Sequence, residues 1–333
     1  MSAPPSFVES LKSAATSILE RQMPPLPSIG VTATNYFPHV IHQTWRSAQL
    51  PSGLQRLSHT WRKHLPRWKY QLHTDADNLE LVQRSYSWLL PAYRRFSPIQ
   101  RADTARYLYM HAVGGIYADL DVELLQPLRS LLRAQRLHNA SVLLGQEPLA
   151  HALLLERKPR QVCNAVLASV RGHPFWLEVL RRVAGGAGGA DPVGSTGPRM
   201  LEAALEAWNA SGVASGAASL ASASSRRSRR RRDASRSKSK GNGGGAVVVV
   251  APDVFFPTWD PMQAATFRRR CGDRGLTSRH GSSDMGLAIT AVCNKLRADG
   301  FRPTVPRDGS AFTNHLWSHT WIRGAEKRNV IGS

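Results

Sequence analysis

Between Gly114 and Val122 the apolar residues Ile116, Ala118, Leu120 and Val122 alternate with Tyr117, Asp119 and Asp121. A period of two predicts a strand with one face in the core and two carboxylates side by side on the other. Gly114 and Gly115 provide the turn into it. Upstream, residues 39–45 predict a buried strand and residues 68–73 an alternating one. Asp75 and Asp77 mark a helix entry, and residues 79–88 have helical spacing. Pro98 opens a further helix, with Ile99, Ala102, Ala105, Leu108 and Ala112 on one stripe. This alternation of strands and helices is the cadence of an α/β sheet with parallel strands. Residues 142–145, 162–170 and 247–250 predict more strands, and residues 173–183 and 199–208 more helices.

Composition divides the chain. Residues 1–36, with Pro4, Pro5, Pro24, Pro25 and Pro27, read as a loosely ordered arm, within which 7–20 could form a modestly amphipathic helix. Residues 37–321 read as one folded domain, interrupted by a low-complexity Ala/Ser/Gly and basic insertion at 209–245, and 322–333 as a tail. The net charge is +21, and residues 226–240 hold nine Arg or Lys against one Asp. Such a surface favours anionic partners (phosphates, sugar nucleotides, acidic headgroups or nucleic acid) without choosing among them. Cys163, Cys271 and Cys293 are odd in number and lack Cys-x-x-Cys spacing, which argues against a disulfide framework and a zinc site. With no apolar run long enough to span a bilayer and no signal-peptide pattern, the chain reads as soluble or anchored by something else.

Six segments in order resemble glycosyltransferase family 32: residues 39–45 (HVIHQTW), 98–107 (PIQRADTARY), 114–121 (GGIYADLD), Asn164 with 172–176 (GHPFW), 194–198 (GSTGP) and 315–321 (HLWSHTW). The fourth and fifth lean toward the branch that adds mannose to inositol phosphoceramide. The resemblance implies a GT-A-type fold, a Rossmann-like nucleotide-binding sheet flanked by helices. It also implies a retaining transferase in the Golgi or secretory pathway that uses GDP-mannose or a UDP-hexose and a lipid or glycan acceptor. Peripheral membrane association stays open and no nucleic acid is expected. Many members carry an N-terminal membrane anchor; this chain departs in lacking one and in its basic insertion.

Asp119 and Asp121 offer hard oxygen ligands for Mn²⁺ or Mg²⁺ on the diphosphate, Asp121 directly, whereas Asp119 could instead reach the ribose or the metal through water; a solvated strand end is the bland alternative. Arg101 could clamp a phosphate and Asp103 accept from sugar hydroxyls, or the two could pair in the helix's first turn, while Arg106 reads as structural. His315 and His319 compete for a third metal-ligand place. Thr196 and Gly197 could approach a phosphate or acceptor, or belong to a plain loop. Trp45 could stack on the base, or sit in the core. No general base stands out. Two other classes remain: a nucleic-acid-binding or nuclear protein using the basic run, and a catalytically dead glycan-binding relative, against which the intact Asp119 and Asp121 speak.

Overall fold

The computed structural model describes residues 37–137, 139–187, 189–211, 245–273, 283–306 and 308–319. The N-terminal arm, the basic run at 226–240 and the tail at 322–333 lie outside the described residues.

Six strands form the central sheet: β1 (Val40–Thr44), β2 (Lys69–His73), β3 (Gly115–Ala118), β5 (Ala140–Gln146), β6 (Val162–Ser169) and β7 (Ala246–Val250), in the order β2-β1-β3-β6-β5-β7. The short β4 (Val122–Leu124) pairs antiparallel with β8 (Thr313–His315) beside it. The mixed α/β class is as the sequence suggests, but the sheet is not all parallel. β1 is parallel to β2 and β3, and β7 to β5, whereas β6 runs antiparallel to both β3 and β5. A parallel return needs a crossover that covers the sheet. The helix between β5 and β6 is the six-residue Leu149–Leu154, which packs into a separate cluster instead, so the chain comes back antiparallel.

Alternation along the strands feeds two cores. Tyr117 and Leu167 join the helices Pro98–Ala112, Phe175–Gly185 and Pro198–Ala210 around Leu108, Trp176 and Leu201. Ile116, Val166 and Ala168 face the helix Ser52–His64, with Trp61 and Phe256 fully buried. Trp61 also donates from Nε1 to Val122 O at 2.8 Å, fastening that helix to β4. The helices begin where the sequence says they should. Thr74 and Asp77 form a reciprocal capping box at Asp75–Ser85. Pro98 occupies the first helical turn after Ser97, whose N–H is taken by Gln100 Oε1 at 2.9 Å.

Two further expectations are corrected. The strand carrying Asp119 and Asp121 does not continue to Val122: it stops at Ala118, and Val122 N donates back to Asp119 O at 3.1 Å. A period-two pattern cannot separate a continuing strand from a tight turn that leaves both carboxylates on one side. Cys271 and Cys293 form a disulfide. They sit on the helices Ala264–Gly272 and Asp284–Ala298, which pack in the third cluster with Leu153, Phe267 and Ile289. Helix packing makes that pairing, which sequence spacing could not show.

Candidate active site

Asp119 and Asp121 occupy the turn where the chain leaves the central sheet for β4. Asp119 N donates to Ala165 O at 2.8 Å, tying the turn to β6. The β5–β6 register slips between Leu144 and Gly145, so the β6 residues between Cys163 and Leu167 have no β5 partner. That irregularity frees Asn164 and Ala165 to serve the turn. Opposite Val122 stands His315, set there by the β4–β8 ladder, and Leu316 N donates to Asp121 O at 2.9 Å. One donor atom from each of Asp119, Asp121 and His315 falls within 4.8 Å of the others.

Each carboxylate has its own holder. Asp121 Oδ1 lies 3.3 Å from His315 Nε2, and its Oδ2 accepts from Ser318 N at 2.9 Å and Ser318 Oγ at 2.8 Å. Trp317 and His319, on either side of Ser318, adopt left-handed φ of 51° and 50°, a backbone cost concentrated at the segment that presents this N–H. Burial would raise the Asp121 carboxyl, but the neighbouring imidazole and the Ser318 donors outweigh it and hold the group well below the usual range. Burial would likewise lower His315, and the Asp121 charge reverses this, keeping it above 6.5. Asp119 is raised by burial, against Arg106 and in concert with Asp121. Its Oδ1 accepts from Tyr117 OH at 2.7 Å, its Oδ2 lies 3.1 Å from Arg106 Nη1, and its carbonyl accepts from Gln43 Nε2 at 3.2 Å.

Behind the pair lies a buried polar network. Arg106 reaches Asp103 Oδ1 at 3.0 Å and Asn164 O at 2.8 Å. Asp103 further accepts from Asn164 Nδ2 and Thr196 Oγ1, each at 2.9 Å. Tyr107 OH donates to Thr196 O at 2.8 Å. Asp103, Thr196 and Asp119 are thus brought together through Arg106. Gly197 follows in close quarters: a Cβ there would lie 2.9 Å from Val193 Cα. The N–H groups of Thr196 and Gly197 are both engaged by Pro192 O. Arg101 is held elsewhere, by the carbonyls of Tyr93 and Arg94 at 3.3 and 3.1 Å. Trp45 is half-buried at the end of β1, its N–H on His73 O at 2.9 Å. His319 pairs with Asp260 Oδ2 at 3.0 Å, so the imidazole beside the two aspartates is that of His315.

The residues fit a divalent cation. Two carboxylates and one imidazole form a hard donor set with one borderline nitrogen, closer to Mn²⁺ than to Mg²⁺. His315 Nδ1 is buried without a hydrogen-bond partner among the described residues, while its Nε2 faces the Asp121 carboxylate, which favours a proton on that nitrogen until a cation takes its place. Sequence reasoning took Arg106 as structural and passed over Tyr117 and Ser318. A cation embedded among Thr104, Ala105, Tyr107 and Leu108, all buried, was the signal available for the first.

Comparison with known proteins bears on the segment that carries the two aspartates. Residues 51–138, which contain both aspartates, match the family model described as glycosyltransferase sugar-binding region containing DXD motif. Over these residues the chain is similar to that glycosyltransferase region, and the family resemblance read from the sequence is borne out. The chain is similar to inositol phosphoceramide mannosyltransferase 3 of Schizosaccharomyces pombe, 31% identical over 149 residues, which cover 44% of this chain and 37% of the relative. It is also similar to mannosyl phosphorylinositol ceramide synthase SUR1 of Saccharomyces cerevisiae, 30% identical over 170 residues, 50% of this chain and 38% of the relative. An initiation-specific alpha-1,6-mannosyltransferase of S. pombe is 28% identical over 153 residues, 42% of this chain and 38% of the relative. The chain spans less than half the length of these curated relatives.

Proposed function

We propose that this chain is a metal-dependent glycosyltransferase of GT-A type. It moves a hexose, mannose favoured, from a nucleotide sugar to a lipid of the inositol phosphoceramide kind or to a glycan, with retention. The observation that carries this reading is the convergence of Asp119, Asp121 and His315 at one turn. These three residues would hold the ion, which when bound supplies positive charge opposite the departing nucleoside diphosphate. The protein's own part is orientation. Ser318 aims Asp121, Tyr117 and Arg106 aim Asp119, and the Asp103–Asn164–Thr196 network makes a rigid floor beside them. Mannose is supported by the names of the relatives. The Cys271–Cys293 disulfide supports an oxidising compartment such as the secretory pathway. Among the described residues no helix is long and apolar enough to cross a membrane.

The test is release of nucleotide from GDP-mannose, UDP-galactose and UDP-glucose with Mn²⁺. One donor is expected to turn over, and Asp121→Ala to lose about a hundredfold or more in kcat with its fold intact. Turnover unchanged in that variant would remove the metal assignment.

A further inference from the structure

A second set of ionisable groups lies along the same sheet edge and has no part in the metal site. β5 and β3 run in the same direction on either side of β6, so the chain leaving β5 emerges at the edge where β3 delivers Asp119. The first residue out is Glu147, whose N–H donates to Gln161 O at 2.8 Å and whose side chain is 11% exposed. One helical turn on, His151 Nδ1 stands 3.3 Å from Glu147 Oε2, while His151 Nε2 accepts the N–H of Asp260 at 3.0 Å. An accepting Nε2 places the ring proton on Nδ1, where it is donated to Glu147. The carboxylate is therefore aimed by a buried imidazole whose tautomer the Asp260 backbone fixes. Asp260 in turn binds His319, the neighbour of the residue that caps Asp121. Trp317 packs between the two histidine positions, 4.7 Å from the His151 ring and 4.1 Å from that of His315.

Glu147 Oε1 has no hydrogen-bond partner among the described residues. A nearly buried carboxylate with one oxygen held and one left over is an acceptor that a ligand can complete. Its negative charge, felt at His315, disfavours a diphosphate on its side of the site. What suits it is the uncharged, hydroxyl-bearing part of a nucleotide sugar. We propose that Glu147 binds hydroxyl groups of the transferred hexose, with His151 as its positioning residue. This rests on the glycosyltransferase reading above, and it divides the site into a metal-and-diphosphate end at Asp119, Asp121 and His315 and a sugar end at Glu147.

The division is tested by calorimetric titration in Mn²⁺ with GDP and GDP-mannose, and with UDP and UDP-glucose in parallel. In Glu147→Gln, affinity for the nucleotide sugar is expected to fall roughly ten- to a hundredfold while affinity for the bare nucleotide stays within about twofold. His151→Phe is expected to show the same selective loss, smaller in size. Should Glu147→Gln fail to fold, Glu147→Asp, which keeps the charge but retracts it, serves in its place with the same expectation. Parallel loss of nucleotide and nucleotide-sugar affinity, or no loss of either, overturns the sugar assignment and leaves the metal site standing. Wild-type protein that binds none of the four overturns the glycosyltransferase reading and this proposal with it.

Discussion

Arg106 joins Asp119 of the candidate metal site to the buried Asp103 behind it, and it does so almost out of contact with water, at 4% exposure. Its guanidinium spans Asp103 and Asp119 with contacts of 3.0 and 3.1 Å. Buried ion pairs are costly to assemble, but removing one partner is worse, because the other charges stay behind uncompensated. Arg106→Ala is therefore expected to cost about 3–5 kcal/mol in urea unfolding. Arg106→Lys should recover less than half of that, since an ammonium cannot reproduce the planar fork. Stability of the alanine variant within error of wild type would show that the network is dispensable. At this scale the sequence was partly legible. Asp119 and Asp121 could be named from residue type and spacing, and His315 only as one of two candidates beside His319. Ser318 could not, because it reaches Asp121 across 197 positions. Nor could the Arg106 contact with Asn164, which depends on a register slip in β6 that no local pattern records.

Among the elements, β3 is the one whose placement decides the site, and Gly115 decides β3. Its φ is +94°, and a Cβ there would stand 2.4 Å from Val40 O, which is backbone and cannot step aside. Gly114, at φ +73°, would meet Arg171 N at 2.6 Å. The pair lets β3 slide between β1 and β6 directly after a helix, with Gly114 O accepting from His42. Gly115→Ala is expected to destabilise the protein by about 3 kcal/mol or more, the sum of left-handed strain and the clash. A thermal melt within a degree or two of wild type would mean that β1 can move away, against the tight register seen here. Turn glycines, strand β1 and the helix from Pro98 were all readable, because each announces itself within a few residues. The direction of β6 and the break after Ala118 were not. Strand direction is settled by what the connecting helix packs on, and a turn can imitate the alternation of a strand.

Among the described residues, burial lowers the pKa of His42 and His173, which are buried, and of His73 and His111, which are half-buried. Burial, with the His73 charge as a second cause, pushes His42 down to about 3. Burial alone leads at His73, lowered to about 4, and at His111, also about 4; His173 is lowered for the same reason. His42 and His73 meet at 2.9 Å between Nδ1 and Nε2, with Tyr109 stacked 3.7 Å over His73. Above pH 6.5 such groups are neutral whether folded or unfolded and contribute no pH dependence. Below 6.5 the unfolded chain takes up protons that the folded one refuses, so stability falls with pH until the folded pKa is reached. His315 does not add to this slope: its raised pKa changes stability only above 6.5, and below that it is protonated in both states. Asp103 and Asp119, raised by burial, act in the opposite sense as pH approaches their range, so the histidine share is best isolated by difference. At pH 5 a histidine fully withheld from protonation costs about 2 kcal/mol relative to pH 7. His42, the deeper of the stacked pair, should carry more of this than half-buried His73. Urea unfolding of wild type and His42→Gln between pH 7 and pH 5 is expected to show the variant less stable at pH 7 but flatter with pH, the gap closing by one to two kcal/mol. Parallel curves would show that His42 is protonated in the folded state and that its contact with His73 is not the neutral pair described here.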